Sequence, residues 1–281
     1  MTSADIIDIS KSTDKYNFHS HTQFCDGRVD METMTLAAIE AGMTHWGFSP
    51  HSPIPFGSPC NMLESDVRNY LDEVARLKAV YGDRINLYAS MEIDYLGDDW
   101  GASTSYFKEL PLDYRISSVH FIPSGDGFVD VDGSFESFKG KMSRYFDDDI
   151  RHVVELFYRQ SAAMVEAGGF DIIGHFDKIG HNASMFSPGI EDEPWYIALV
   201  DNLVDMIIDK RLVVEINTKA HESADRFFPS LRYWRRLIDA GVGIVVNSDA
   251  HYPDRVNLGR NAAIEHLKLF NSQSYPQSIC R

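Results

Sequence analysis

Histidine and carboxylate residues occur along the sequence in a pattern that suits metal binding. The 281 residues include eleven histidines, and His19 and His21 are separated by one residue. Alternate residues of a β-strand point to the same side, so both imidazoles can reach one metal ion. A lone buried histidine is more often a hydrogen-bonded core residue, so the argument depends on the whole set. The candidate metal ligands are His19, His21, Asp26, His51, Glu92, His120, His175, Asp249 and His251.

These candidates end or closely follow runs that are rich in β-branched, aromatic and apolar residues, and such runs predict strands. The predicted strands are 16–21, 44–49, 85–92, 115–121, 171–175, 211–217 and 242–248. Helical patterns separate most of them, with Asp30 as a predicted N-cap. The predicted helices are 30–42, 65–81, 151–168, 195–210, 229–241 and 257–270. This alternation predicts an α/β fold with buried parallel strands.

The position of the candidate ligands predicts one shared site. In a β/α barrel the C-terminal ends of the strands meet at one face, so residues far apart in sequence become neighbours there. The residues after His251 offer a helix and a polar tail but no eighth strand. We therefore expect a distorted, seven-stranded (β/α)7 TIM-like barrel. Without a linker, repeat or low-complexity segment, we expect residues 1–281 to form a single domain.

Composition and charge narrow the classes of partner. The chain has 26 basic and 42 acidic residues, for a formal net charge of −16, which disfavours nucleic-acid polymers and anionic membranes. No apolar run approaches the roughly 18 residues of a membrane helix, and nothing at the start of the sequence resembles an export signal. Three cysteines, Cys25, Cys60 and Cys280, are too few for a disulfide framework. We therefore expect a cytoplasmic protein.

Several short motifs give the sequence a family resemblance. They stand in order at 19–21, 25–27, 47–53, 91–95, 118–121, 174–175, 215–218 and 247–251. On these motifs the chain resembles the PHP-family phosphoesterases, and the wording around Asp26, Glu92 and His120 resembles their histidinol-phosphate phosphatase type. Two departures concern Pro50, where an acidic residue is common, and segment 176–181, which has Lys178 and His181 where an arginine is usual.

The resemblance implies three divalent transition metals, and the donor types suit zinc, iron or manganese without distinguishing among them. It assigns the first metal to His19, His21, Glu92 and Asp249, the second to Glu92, His120 and His175, and the third to Asp26, His51 and His251. Three divalent ions and three carboxylates leave a charge of about +3 for a phosphate dianion and a hydroxide.

The implied reaction is hydrolysis of L-histidinol phosphate to L-histidinol and phosphate, a step of histidine biosynthesis. A hydroxide that bridges the metals would attack phosphorus in line. Glu92 would bridge two metals, and either Asp249 or His251 would protonate the leaving alkoxide.

The expected substrate contacts are less specific than the metal ligands. Lys178, Lys219, Arg226 and Arg255 follow predicted strands and could contact phosphate, although a solvated surface charge is an equal alternative for each. His181 is a further candidate because loops at this face often carry function. Glu215 could receive the amine of the substrate, or it could support Lys219 or a metal-bound histidine from behind.

Other functions stay open at this point. Amidohydrolases also place His-x-His after the first strand, but with one or two metals, which would leave Asp26, His51 and His251 without a role. A non-catalytic module with a decayed metal site is possible in principle, although nine intact ligands argue against it. Within the family, nucleotide and phosphotyrosine phosphatase activities are alternatives, whereas the acidic balance disfavours nuclease activity on a polymer.

Overall fold

The computed structural model describes residues 1–125 and 127–272, and Cys280 lies outside them. The strands in this part of the chain are β1 (Tyr16–Asn17), β2 (His45–Phe48), β3 (Asn86–Ala89), β4 (Glu92–Asp94), β5 (Ile116–Ser118), β6 (Phe121–Ser124), β7 (Gly127–Asp130), β8 (Ile172–Ile173), β9 (Val213–Asn217) and β10 (Gly243–Asn247). The helices are α1 (Ser3–Ser12), α2 (Met31–Glu40), α3 (Val67–Tyr81), α4 (Ser105–Glu109), α5 (Phe135–Tyr145), α6 (Ile150–Ala167), α7 (Ile179–Phe186), α8 (Pro194–Asp209), α9 (His221–Ala224), α10 (Leu231–Asp239) and α11 (Arg260–Asn271).

Eight strands form two parallel sheets, and the other two form a hairpin. The first sheet has the order β1-β2-β3, and the second has the order β10-β9-β8-β5-β4. Strands β6 and β7 pair antiparallel as the hairpin. Every predicted strand contains observed strand residues, but the predicted strand 85–92 is divided into β3, which pairs with β2, and β4, which pairs with β5. The predicted parallel α/β fold is confirmed.

The expected closed barrel is not formed by the strands of the described residues, and the seam between β1 and β10 gives the reason. At this seam, backbone N–H groups that would donate to carbonyl groups of the neighbouring strand in a sheet donate to side chains instead. The Ser248 N–H donates to Asn17 Oδ1 at 2.7 Å, and the Phe18 N–H donates to Asn247 Oδ1 at 2.8 Å. A single parallel bridge, between residues 20 and 250, joins the two chain segments above the seam. At this seam side chains therefore replace most of the hydrogen bonds that a strand ladder would form.

Helix α1, which the sequence analysis did not predict, fills the space between the two sheets. Thr2 and Asp5 form a capping box at its start, which satisfies free N–H groups of the first turn. Ile6 is fully buried in a cluster with residues of both sheets, including Phe18 and Val245. A side chain at position 243 would collide with Ile7. Apolar packing therefore fills the inside of the fold below the strand ends, which carry the polar residues.

The remaining helices cover the outer faces of the sheets. Helices α2 and α3 pack with the first sheet around Trp46 and Tyr70, whereas α6, α8 and α10 pack with the second sheet. The strands are therefore buried on both faces, as expected for parallel strands with helical crossovers. All six predicted helices are confirmed within a few residues, and Asp30 caps α2 by accepting a hydrogen bond from the Thr33 N–H.

The structure adds elements that the sequence analysis missed, namely α4, the β6-β7 hairpin, α5, α7 and α9. The hairpin begins directly after His120, so it stands beside the strand ends. His181, expected in a loop, lies in the first turn of α7. Across residues 1–125 and 127–272, no helix combines the length and apolar character that a bilayer crossing requires.

Candidate metal centre

The nine candidate ligands lie together on one side of the fold. Most of them follow a strand, whereas Glu92, expected to end the predicted strand 85–92, is the first residue of β4. His19 and His21 follow β1, and their ring centroids are 5.3 Å apart. The His21 ring stacks on His251, which follows β10, at 3.8 Å. The His120 ring, between β5 and β6, lies 4.9 Å from His51. The fold thus brings together residues that are separated by up to about 230 positions in sequence, as the strand-end argument predicts.

Glu92, the first residue of β4, occupies the middle of this cluster and is fully buried. Its Oε1 lies 2.7 Å from His175 Nε2 and 3.3 Å from His120 Nε2. Its Oε2 lies 3.1 Å from His51 Nδ1 and 3.2 Å from His19 Nε2. The two oxygens therefore face different histidines, which is the arrangement that a bridging carboxylate requires.

Several polar atoms around Glu92 are buried and, although some of them approach one another to 3.1–3.2 Å, none makes a hydrogen bond of acceptable geometry with another described residue. Such atoms are rare in folded proteins because an unpaired buried polar group is costly. Imidazole nitrogens and carboxylate oxygens are also the usual protein ligands of divalent transition metals. The donor set therefore fits metal ions. The unpartnered atoms are His19 Nε2, His21 Nε2, Asp26 Oδ1, His51 Nδ1, Glu92 Oε2 and His120 Nε2.

The ligand atoms fall into three groups, and within each group they lie within 4.8 Å of one another. This division resembles the expected one but differs in detail. His21 and His51 each belong to two neighbouring groups, and His175 reaches the cluster through Glu92 Oε1. The groups are His21, Asp26, His51 and His251; His19, His21 and Asp249; and His51, Glu92 and His120.

Three histidines have their far ring nitrogen held by an acceptor. His19 Nδ1 lies 2.7 Å from Glu215 Oε1, and His120 Nδ1 lies 2.7 Å from Asp94 Oδ1. His251 Nδ1 lies 3.0 Å from the Asp249 carbonyl oxygen. Carboxylate and carbonyl oxygens accept, so each Nδ1 carries a proton and Nε2 is the ring nitrogen that faces the cluster. Such partners fix the tautomer and ring orientation of metal-binding histidines.

Electrostatics keep the carboxylates of the cluster ionised. Burial raises the pKa of Glu92, but the surrounding histidines, led by His19, outweigh burial and hold that pKa well below its usual range. The same balance lowers the pKa of Asp26, because the neighbouring rings of His21 and His251 outweigh burial. Burial also lowers the pKa of the His251 imidazole to about 4. At neutral pH Glu92, Asp26 and His251 are therefore in the forms that bind cations. Burial lowers the pKa of His19, but Glu215, Glu92 and Asp249 outweigh burial and raise that pKa to about 10, so a metal ion would displace a proton from this ring.

Two of the predicted substrate contacts lie at the cluster. Lys219 Nζ is 3.4 Å from Asp249 Oδ1 and 3.3 Å from His251 Nε2. Lys178 Nζ forms an ion pair of 2.7 Å with Asp132, and the pKa of Lys178 is raised because Asp132, Asp249 and Glu92 outweigh the opposing effect of burial. Both ammonium groups are thus close enough to influence an anion at the cluster.

The other predicted contacts have different surroundings. Glu215 is completely buried, and besides His19 it accepts hydrogen bonds from the His175 N–H and the Asn247 side chain. This favours the alternative that it supports a histidine from behind. Arg226 forms two hydrogen bonds of 2.7 Å with Glu191. Arg255 pairs at the surface with Glu222, and the His181 ring packs edge-on against Phe228.

Sequence reasoning missed two carboxylates that the structure brings to the site. Asp94 holds His120, and Asp132 holds Lys178. A signal for Asp94 was present, because residues two apart in a strand share a face, and Glu92 precedes it by two. Asp132 follows the hairpin that was not predicted, so nothing in the sequence pattern linked it to Lys178.

Two cavities open at the cluster. The first, which we call the basic cavity, has a volume of about 490 Å³ and is lined by Arg28, Lys219, Asp249, His251, Tyr252 and Arg255. The second, which we call the aromatic cavity, has a volume of about 760 Å³. Its lining includes Asp26, His51 and His120 from the cluster, together with Phe56, Phe121, Phe128, Asp130 and Asp132. Lys219 lines both cavities.

Comparison with known proteins identifies the family. The model of the family described as "PHP domain" matches residues 17–219. The chain belongs to the PHP domain family. A PHP relative from Schizosaccharomyces pombe, named "Probable histidinol-phosphatase", is 25% identical over 270 residues, covering 89% of this chain and 84% of the relative. A Deinococcus radiodurans protein of the same name is 23% identical over 262 residues, covering 89% of this chain and 91% of the relative.

Solved structures show the same fold. The proposed histidinol phosphatase of Listeria monocytogenes superposes with a TM-score of 0.79 at 19% identity, over 88% of this PHP chain and 99% of that chain. The histidinol phosphate phosphatase of Lactococcus lactis, solved with zinc, L-histidinol and phosphate, gives a TM-score of 0.65 at 20% identity, over 92% and 94% of the two chains. At these identities the likeness establishes the fold.

Proposed function

We propose that this PHP protein is a metal-dependent phosphomonoester hydrolase and that its substrate is L-histidinol phosphate. The observation that carries the proposal is the set of buried nitrogen and oxygen atoms around Glu92 that lack a hydrogen-bond partner among the described residues. They fit cations, and cations explain how a chain of net charge −16 can bind a phosphate. The substrate is inferred from two relatives that are each named "Probable histidinol-phosphatase". This chain matches 84% and 91% of their length.

In this proposal nine residues hold three divalent ions, which are zinc, iron or manganese, and one domain spans residues 1–281. The ions would lower the pKa of a water to near 7 and offset the charge of the phosphoryl group. His21, Asp26, His51 and His251 form one group of possible ligands, which supports a third ion. An amidohydrolase site, with one or two ions, would give no role to Asp26, His51 and His251. The ligands are His19, His21, Asp26, His51, Glu92, His120, His175, Asp249 and His251.

The protein's own side chains have separate tasks. The Lys219 ammonium, beside Asp249 and His251, would bind a phosphoryl oxygen, and Lys178 would add positive charge from the side of the aromatic cavity. Glu92 would connect two ions, since its two oxygens face different histidines. Asp249 or His251 would deliver the proton to the leaving alkoxide. We assign Arg226, Arg255 and His181 as outer substrate contacts of lower importance.

The test is phosphate release by protein loaded separately with zinc, manganese or iron. The panel contains L-histidinol phosphate, p-nitrophenyl phosphate, AMP and O-phospho-L-tyrosine, and the controls are Glu92→Gln and Glu109→Gln, the latter at an exposed position of α4. We expect L-histidinol phosphate to have by far the highest kcat/KM, with activity lost only in Glu92→Gln. Equal and slow turnover of all esters, or preference for AMP or phosphotyrosine, would overturn the assigned substrate.

Metal content provides an independent check. Elemental analysis after mild purification should find close to three transition-metal ions per chain. Full activity with one ion per chain, or with none, would overturn the proposed trinuclear centre.

A further inference from the structure

The two cavities at the cluster differ in chemistry, and this difference gives a bound ester a direction. The basic cavity carries the cationic side chains of Arg28, Lys219 and Arg255, together with two carboxylates, Asp249 and Glu222, of which Glu222 pairs with Arg255. The aromatic cavity carries three phenylalanines. A phosphate monoester has an anionic phosphoryl end and an alcohol end. At a site with these two cavities, the two ends of the ester should favour different cavities.

The phenylalanines of the aromatic cavity form one continuous surface. The rings of Phe56 and Phe128 are nearly parallel, with centroids 5.8 Å apart and an angle of 10° between planes. Phe121 packs edge-on against Phe56 at 5.4 Å. Phe56 and Phe128 are only half-buried, so part of this surface faces the cavity. Aromatic surface beside precisely placed polar groups is typical of small-molecule sites.

Backbone and side-chain hydrogen bonds fix this surface relative to the cluster. The Val131 N–H, just after β7, donates to the carbonyl oxygen of His120 at 2.8 Å. The Gln160 side chain donates to the Phe121 carbonyl oxygen at 2.6 Å. On the other side of the cavity, Asn61 donates to Asp94, which holds His120. The distance between the aromatic surface and the candidate ligands is therefore determined by the fold.

The carboxylates of the cavity already have cationic partners. Asp130 pairs with Lys141 at 2.7 Å, and Asp132 pairs with Lys178 at 2.7 Å. Their charge is therefore largely compensated within the protein. The property that distinguishes this cavity from the basic one is its aromatic surface, and the ligand group that matches such a surface is a flat ring.

We propose that Phe56, Phe121 and Phe128 form the pocket that selects the alcohol part of the substrate, and that they favour esters whose alcohol carries a flat ring. This inference rests on the proposed function and deepens it. The phosphoryl group would lie at the cluster and Lys219, and the ring of the alcohol would stack against Phe128 and Phe56. Aliphatic phosphomonoesters would occupy the cluster equally well but gain nothing from the pocket.

The experiment compares two amino-alcohol esters, L-histidinol phosphate and O-phosphoethanolamine, of which only the first has a ring. The variants are Phe128→Ala and Phe128→Leu, which removes the ring but keeps apolar bulk. Tyr145→Ala is the matched control, because it removes an exposed aromatic ring at the end of α5 that lines neither cavity. Thermal unfolding of each metal-loaded variant checks that the fold is retained, and calorimetry with L-histidinol measures binding of the alcohol alone.

In Phe128→Ala we expect kcat/KM for L-histidinol phosphate to fall at least about tenfold, with a similar loss of L-histidinol affinity. Phe128→Leu should lose most of that factor. O-Phosphoethanolamine turnover and inhibition by inorganic phosphate should change less than about twofold in both variants, and Tyr145→Ala should match wild type.

Equal loss on both esters, or an equal effect of Tyr145→Ala, would overturn the pocket while leaving the phosphatase function in place. Wild-type protein that prefers O-phosphoethanolamine would overturn both the pocket and the assigned substrate. No hydrolysis of any phosphomonoester by the metal-loaded protein would overturn the proposed function itself. If no ester is hydrolysed, L-histidinol binding still tests the pocket, and unchanged affinity in Phe128→Ala would overturn it.

Discussion

The cluster of candidate ligands and the wall of the aromatic cavity lie side by side but come from different parts of the fold. His19 and Glu92 stand at strand ends, and both are completely or almost completely buried. Phe56 and Phe128 stand on a loop and a hairpin, and both are partly exposed. The strands thus position the groups for the reaction, while the connections position the groups that distinguish substrates. Changes in the cluster should affect every ester, and changes in the wall should affect the ratio between esters.

Removal of the metal ions should have the largest effect. Dialysis against a strong chelator should abolish turnover of all phosphomonoesters, and zinc, manganese or iron should restore it. Because the ions would bind only the folded cluster, each should add about 2.7 kcal/mol of stability at a free concentration of 100 Kd. Differential scanning calorimetry with and without metal measures this. Activity that persists in protein shown to be metal-free would contradict the role of the cluster.

Glu92→Gln should have the next largest effect. The substitution removes the charge of a carboxylate whose two oxygens face different histidines. We therefore expect kcat/KM to fall more than about 100-fold on all esters, which exceeds the 10- to 100-fold loss typical of a residue that only orients a metal ligand. Asp26→Asn should cost less, because Asp26 lies at the more exposed edge of the cluster. Steady-state kinetics and metal content of both variants check this order. Near wild-type turnover in Glu92→Gln would show that Glu92 does not bridge.

Glu215→Gln and Asp94→Asn should have intermediate effects. Each changes the acceptor that orients a histidine, His19 or His120, and such partners contribute about 10- to 100-fold in metal affinity or activity. Competition with a chromogenic chelator measures the affinity. The loss should be the same for L-histidinol phosphate and O-phosphoethanolamine. A loss in Glu215→Gln confined to KM for amine-bearing esters would instead favour direct contact between Glu215 and the substrate.

Arg255→Ala and Lys219→Ala form a matched pair with the smallest effects. Arg255 pairs with an exposed carboxylate at the surface, an interaction worth about 0 to 1 kcal/mol, so its loss should change kcat/KM less than about twofold. Lys219 is close to Asp249 and His251, so Lys219→Ala should raise KM for every phosphomonoester about tenfold. Equal effects of the two substitutions would contradict the expectation that Lys219 binds phosphate at the cluster while Arg255 does not.

The sequence was sufficient for the parallel strands, the main helices and the location of the nine candidate ligands. Their positions depend on local rules, since buried strands have a recognisable composition and ligand-type residues such as His19 directly follow them. The hairpin was not predictable in this way. Its first strand continues the run that ends at Phe121 and includes Pro123, and proline argues against a strand interior.

Pairings between distant segments were also beyond a single sequence. Arg226 pairs with Glu191, which is 35 positions away in the sequence. Because the sequence does not reveal this pairing, it left Arg226 as a candidate phosphate contact. The open seam likewise depends on the side chains of Asn17 and Asn247, which nothing in the periodicity of the strands distinguishes from ordinary strand residues. Such features arise from tertiary contacts and need coordinates.

That seam has a consequence for motion. In a sheet, separating two strands breaks a series of backbone hydrogen bonds together, whereas each asparagine bond at the seam is released when one side chain rotates. Opening along this line therefore breaks fewer backbone hydrogen bonds than separating two strands within a sheet, and the line runs directly below His19 and Asp249. We expect the amide protons of Phe18 and Ser248 to exchange with solvent sooner than those inside β9, and the two halves of the fold to separate there first.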